Sequence, residues 1–147
     1  MKALIIDDSR AARYAVRRML RQLGFTEVYA APDAATAQEI LDTEASFDLV
    51  LCDHYMPEIN GLDFVRSVRA QRGHADLPVI MISAEHTAEH IDRALHAGAN
   101  EYLVKPFTVD DLSSKLDLLP ASSPIGQRWV VDRVNAAVSS VDSAGCS

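Results

Sequence analysis

The sequence has little cysteine: among 147 residues only Cys52 and Cys146 occur. Two such cysteines make no disulfide framework and fit a reducing compartment. No apolar run approaches the ~20 residues that a membrane span needs. The opening stretch MKALIIDDSR breaks into two acids after four apolar residues, which is not a signal peptide. A cytoplasmic location without membrane contact is therefore expected. An excess of basic residues is also missing. Fourteen Lys and Arg stand against 21 Asp and Glu, for a formal charge of -7. A nonspecific nucleic-acid binder leans basic, so no direct nucleic-acid partner is expected. There is no fixed-period repeat and no low-complexity tract.

What is present is ordinary globular composition, 48% hydrophobic and 24% charged. The length suits one domain, and such a chain can bury about 70% of its unfolded surface without a metal or disulfide staple. Three short apolar runs, Ala3-Leu4-Ile5-Ile6, Leu49-Val50-Leu51-Cys52 and Val79-Ile80-Met81-Ile82, lack alternation and suit strands buried on both faces. Val28-Tyr29-Ala30 and Tyr102-Leu103-Val104 are weaker candidates. Helical patterns lie between them, over 10–22, 33–44, 62–70, 85–97 and 109–119. Gly24 and Gly98 read as stops, and Thr108 with Asp111 resembles a capping box. Five β-α repeats imply an α/β fold, a doubly wound parallel sheet with helices on both faces.

Residues 1–119 form that domain, and 120–147 read as a linker and a C-terminal helical extension. Pro120 to Pro124 is a break. Val130, Val134, Ala137 and Val141 are spaced by four, three and four, a short coiled-coil-like seam. The seam is expected either to pair two copies of the chain as a homodimer or to fold back with Trp129. No DNA-binding or enzymatic output fits in this segment, so the chain works by binding partners or is part of something longer.

In an open parallel sheet, ligands bind beyond the carboxyl ends of the strands. Asp7 and Asp8 follow the first strand, Asp53 the third, Ser83 the fourth and Lys105 the fifth. Three carboxylates in one pocket repel, and one ammonium leaves them short of neutrality. A bound Mg²⁺ would bring the formal sum near zero, and it prefers oxygen ligands and commonly pairs with phosphate. The edge therefore reads as a site for a divalent cation that receives a phosphoryl group. An Asp-Asp pair alone is an ordinary turn and a lone Lys-Pro an ordinary loop; their convergence on one edge carries the reading.

Ile5-Ile6-Asp7-Asp8-Ser9, Leu51 to Pro57 with Gly61, Ile82-Ser83-Ala84 and Tyr102 to Phe107 resemble the receiver domain of bacterial two-component response regulators, of the chemotaxis type. The resemblance covers residues 2 to about 119. It implies a flavodoxin-like five-stranded sheet of order 2-1-3-4-5. It implies that Asp53 is the phosphoacceptor, taking phosphoryl from a histidine kinase or histidine phosphotransfer protein and then switching a downstream protein target or self-association. The chain would then be a signalling phosphoacceptor with self-catalysed transfer and autodephosphorylation rather than a conventional enzyme. Asp8, Asp53 and the Tyr55 backbone carbonyl would hold Mg²⁺, with Asp7 acting through a metal-bound water. Lys105 would pair with Asp53 and then with the phosphoryl group. Ser83 would swing toward the phosphoryl oxygen while Tyr102 turns inward, a two-state switch. Lys105-Pro106 is expected to be cis. Tyr55, Ala84 and Glu85 are candidates for tuning the phosphoryl lifetime.

Other features weigh less. Arg10, Arg13, Arg17, Arg18 and Arg21 form an acid-free basic stretch, either a face for an acidic kinase or phosphotransfer partner or a solvated surface. His86, His90 and His96 lack a further ligand for zinc. His54 is assigned no catalytic role, and Cys52 reads as a packed strand residue. A Mg²⁺-dependent phosphatase of the haloacid-dehalogenase kind wants an Asp two residues after its nucleophile, where Tyr55 stands. A flavin carrier wants a phosphate-cradling loop where Asp7-Asp8 stands.

Overall fold

The computed structural model describes residues 1–44, 46–56 and 58–120. The sheet forms from β1 (Lys2–Ile6), β2 (Glu27–Ala31), β3 (Leu49–Asp53), β4 (Val79–Ser83) and β5 (Glu101–Val104). Between and after them run α1 (Arg10–Gln22), α2 (Ala34–Thr43), α3 (Gly61–Ala70), α4 (Ala88–Ala97) and α5 (Val109–Asp117). The strand order is β2-β1-β3-β4-β5, all parallel, as expected.

Every residue of β3 and β4 is buried, which is why these strands read as unbroken apolar runs. Side chains alternate between two layers. Ala3, Ile5, Leu49, Leu51, Ile80, Ile82 and Leu103 pack with Val16 and Leu20 of α1 and Leu112 and Leu116 of α5. Leu4, Ile6, Val50, Cys52, Val79, Met81 and Tyr102 pack beneath α2, α3 and α4. Cys52 is fully buried, and that burial pushes its thiol well above the ordinary range.

Ser9, Asp33, Asn60, Thr87 and Thr108 cap the five helices with side-chain oxygens. The reciprocal Thr108–Asp111 box is present. The fourth helix starts at Ala88 rather than 85, because Ser83 Oγ accepts from the Glu85 N–H and Thr87 takes the cap. The fifth ends at Asp117, two residues short of the expected 119. At the end of α4, Gly98 sits at φ +117°, where a Cβ would crowd the Arg69 side chain. Among the described residues no helix is long and apolar enough to cross a membrane. The linker beyond Pro120 and the expected terminal helix, with Trp129 and the valine seam, lie outside the described residues.

Candidate functional site

The carboxyl ends of four strands open on one edge of the sheet. Asp7 directly follows β1, and its N–H donates to the Ala31 carbonyl at the end of β2 (3.1 Å). One Asp7 carboxylate oxygen accepts from the N–H of Ser9, the cap of α1 (2.9 Å). Asp53 is the last residue of β3, and Lys105 directly follows β5. Asp7 and Asp53 are buried, while Asp8 is exposed at the rim. Asp7, Asp8 and Asp53 each bring a carboxylate oxygen within 4.8 Å of the others.

Lys105 Nζ donates to Asp7 Oδ2 at 2.9 Å and lies 3.5 Å from Asp53 Oδ2. Burial is the largest influence on the Asp53 carboxyl and raises it. The Lys105 ammonium pulls it down, Asp7 pushes it up again, and the balance stays above the ordinary carboxylate value. Burial alone lowers the Lys105 ammonium, but the hydrogen bond to Asp7 and the two carboxylate charges more than reverse this. The pocket thus has an oxygen-only donor set with more negative than positive charge, which suits a hard divalent cation.

Ser83 closes β4 and is buried, with its hydroxyl turned to the Glu85 N–H (3.1 Å). Tyr102 is only 4% exposed, and its hydroxyl donates to the Glu85 carbonyl (2.7 Å). Burial, the largest influence, raises the Tyr102 phenol, and hydrogen bonding to Ser83 opposes it. Tyr102 is thus packed inward, because its phenol finds an acceptor in the β4–α4 loop. Ala84 is exposed and, with Pro106, Phe107, Ala12, Ala15 and Met19, lines an apolar groove of about 510 Å³ beside Lys105. The Lys105-Pro106 peptide is cis.

Tyr55 is 52% exposed and leaves the β3–α3 turn at the rim, and its backbone N–H works against the rise of the Asp53 carboxyl. The next turn is held by a close approach at Gly61. Its N–H donates to the His54 carbonyl (2.8 Å), and a Cβ there would overlap the Asp53 carbonyl oxygen. Pro57 lies outside the described residues.

His54 is the residue that sequence reasoning passed over. It is 6% exposed, its ring stacks on Tyr55, and the edge of His90 from α4 meets it. Burial is the main cause that lowers its imidazole below the ordinary value. A histidine beside an acid carries no sequence signal for such packing, since His90 is 36 residues away and only the fold brings it near. The basic stretch of α1 also divides. Arg13 donates to the Asp7 carbonyl (2.8 Å) and Arg17 buries its Nε, while Arg10, Arg18 and Arg21 are exposed.

Residues 3–117 match the family model of the response regulator receiver domain. Over 119 residues the chain is 40% identical to chemotaxis protein CheY1 of Helicobacter pylori, covering 81% of this chain and 96% of that protein. It is 44% identical to chemotaxis protein CheY-3 of Vibrio cholerae over 117 residues, 80% of this chain and 89% of that one. Among solved structures, the chemotaxis response regulator CheY4 of Vibrio cholerae superposes with a TM-score of 0.75 at 33% identity, covering 81% and 98% of the two chains. The receiver domain of the sensor histidine kinase PA1611 of Pseudomonas aeruginosa, with a magnesium ion coordinated in its active-site cleft, gives 0.72 at 28% identity over 80% and 95%. With a match that runs from the first strand through the last described helix, this chain belongs to the response regulator receiver domain family.

Proposed function

We propose that this receiver is a Mg²⁺-dependent phosphoacceptor that takes a phosphoryl group on Asp53 and passes the signal on by changing what it binds. The observation that carries the reading is the cluster of the Asp7, Asp8 and Asp53 carboxylates, two of which, Asp7 and Asp53, share the ammonium of Lys105. Asp8, Asp53 and the Tyr55 backbone carbonyl would hold Mg²⁺, with Asp7 reaching it through water; the ion would supply charge neutralisation at the phosphoryl oxygens. The magnesium in the PA1611 receiver supports this assignment.

The chain's own groups then divide the work. An oxygen of the Asp53 carboxylate attacks phosphorus; the new O–P bond forms as the N–P bond of a partner phosphohistidine breaks and its electron pair returns to the imidazole. Lys105 stands ready to hold a phosphoryl oxygen, since its ammonium already lies against Asp53. Ser83 would leave the Glu85 N–H to hold another. That move alters the surroundings of the Tyr102 hydroxyl, so the added anion would be read at the β4–α4 loop. Attack of water on phosphorus later returns free carboxylate and inorganic phosphate.

The partner that donates would be a histidine kinase or histidine phosphotransfer protein. Arg10, Arg18 and Arg21 offer it charge, and the neighbouring groove of Ala12, Ala15 and Phe107 offers apolar area. The reader would be a downstream protein in the cytoplasm. Residues 120–147 would serve as a linker and helical extension, through which self-association would run. An output domain in a longer chain is the second reading. It is favoured by the likeness to a probable response regulator/GGDEF domain protein, half of whose chain the match covers.

Incubation with a small phosphodonor and Mg²⁺, followed by intact mass, tests the proposal. The wild type should gain one phosphoryl group and Asp53→Ala none. A wild type that stays unmodified, or an Asp53→Ala chain that is modified equally, would overturn it.

A further inference from the structure

Three aromatic rings lie in sequence from the rim of the acidic pocket to the start of α4. Tyr55, half exposed at the rim, stacks on His54 with centroids 4.7 Å apart and planes 7° from parallel. The His90 ring meets His54 edge-on at 6.0 Å and 65°. His90 Nδ1 in turn pairs with the hydroxyl of Thr87, the cap of α4 (2.6 Å).

The middle ring is fixed from behind. The His54 N–H donates to the Ile82 carbonyl of β4 (2.9 Å), and its carbonyl accepts from Gly61 at the start of α3 (2.8 Å). The ring itself makes little polar use of its position, for His54 Nδ1 is buried without a hydrogen-bond partner among the described residues. What the imidazole offers is a flat face, and Tyr55 lies on it.

Tyr55 is near enough to Tyr102 to influence its phenol, as is Glu85. Tyr55 follows the acceptor by two residues, and the Glu85 carbonyl takes the Tyr102 hydroxyl at 2.7 Å. Water that hydrolyses an acyl phosphate on Asp53 must reach phosphorus from the solvent side, where Tyr55 is half exposed. An exposed tyrosine free to swing would guard it only part of the time. One stacked on a buried plate keeps a fixed orientation.

We propose that His54 is a positioning residue for the lifetime of the phosphorylated state: its buried ring holds Tyr55 over the pocket mouth and limits access of water to the acyl phosphate. This deepens the phosphoacceptor reading and rests on it. His54 touches no reacting atom and acts through Tyr55.

The test uses the full chain, loaded on Asp53 with a small phosphodonor and Mg²⁺, freed of donor, and followed by intact mass. His54→Leu fills the buried space without an aromatic face, and His54→Phe restores the face. His54→Leu should shorten the phosphoryl lifetime by about threefold or more, the scale of one aromatic pair. His54→Phe should return it to within about twofold of wild type. Tyr55→Ala should shorten it at least as much, and His54→Leu combined with Tyr55→Ala should lose nothing beyond Tyr55→Ala alone. A second measurement is the ring-current shift of the Tyr55 ring protons by NMR. It should be upfield in the wild type and in His54→Phe, and lost in His54→Leu.

An unchanged lifetime in His54→Leu, equal shortening in His54→Leu and His54→Phe, or full additivity with Tyr55→Ala would overturn the inference while leaving the acceptor role intact. A wild-type Tyr55 without the upfield shift would overturn it even if His54→Leu did not fold. A wild type that never loads would overturn the acceptor reading, and this inference with it.

Discussion

Lys105 Nζ lies closer to Asp7 (2.9 Å) than to Asp53 (3.5 Å), so the ammonium neutralises the pocket from its floor and leaves the Asp53 carboxylate partly uncompensated. Lys105→Met removes the only cation among these groups. The expected outcome is a split: Mg²⁺ binds roughly tenfold tighter as the opposing charge disappears, while phosphotransfer to Asp53 slows by about tenfold or more. Calorimetric titration with Mg²⁺ and the mass-resolved transfer rate check the two halves separately.

Asp53 carries a pH signature of its own. Its carboxyl is raised, chiefly by burial, above an ordinary value of 3.8. Well below that pH both folded and unfolded chains keep the proton. As pH rises the unfolded chain releases it first, so the native state loses stability until the folded carboxyl has also ionised, and is level above that. Asp53→Asn lacks this slope. In metal-free buffer it should melt above the wild type at neutral pH, with the gap closing toward acid. Millimolar Mg²⁺ should raise the Tm of the wild type and leave Asp53→Asn nearly unchanged. Thermal melts across pH, with and without chelator, check it.

Gly61→Ala should damage the site from behind. The added Cβ would overlap the Asp53 carbonyl oxygen and crowd the His54 Cα, both of them backbone that cannot rotate away. A loss of about 1–3 kcal/mol in denaturant unfolding is expected, together with weaker Mg²⁺ binding as the end of β3 shifts. Unfolding and Mg²⁺ titrations on the same sample measure both.

Arg69 anchors the opposite end of the sheet. Its guanidinium donates to the carbonyls of Gly98 (2.9 Å) and His74 (3.2 Å), to that of Leu77, and to Asn100 Oδ1 (3.0 Å), which also takes the Val79 N–H (2.8 Å). Arg69→Ala leaves several half-buried acceptors unmet and should cost about 2–3 kcal/mol. Arg69→Lys should recover less than half of this, because one ammonium cannot reproduce the planar fork. Phosphorylation measured well below the melting temperature should be unaffected, which would separate this structural network from the site.

The central strands were legible because burial on both faces leaves no room for polar residues, as in Val50-Leu51-Cys52 and Ile80-Met81-Ile82. The strands at the sheet edges, β2 and β5, have partly exposed positions and gave weaker patterns. Asp7, Asp8, Asp53, Ser83 and Lys105 could be placed on one edge because each ends or follows a strand. The partners of those residues could not be read this way. The preference of Lys105 for Asp7, the hold of Arg13 on the Asp7 carbonyl and the seat of His54 between Tyr55 and His90 all join residues from different elements. A one-dimensional pattern records which face a residue occupies, and not which side chain from another element it will meet.

The Lys105–Asp7 ion pair spans 98 residues of chain. During synthesis the ribosome delivers β1, β3 and β4 well before Lys105 exists, and a nascent chain at that stage holds acids with no ammonium among them. The acidic pocket therefore lacks its compensating charge until the last strand has docked. The long closure makes the charge balance of the pocket a property of the completed sheet and of no shorter piece of it.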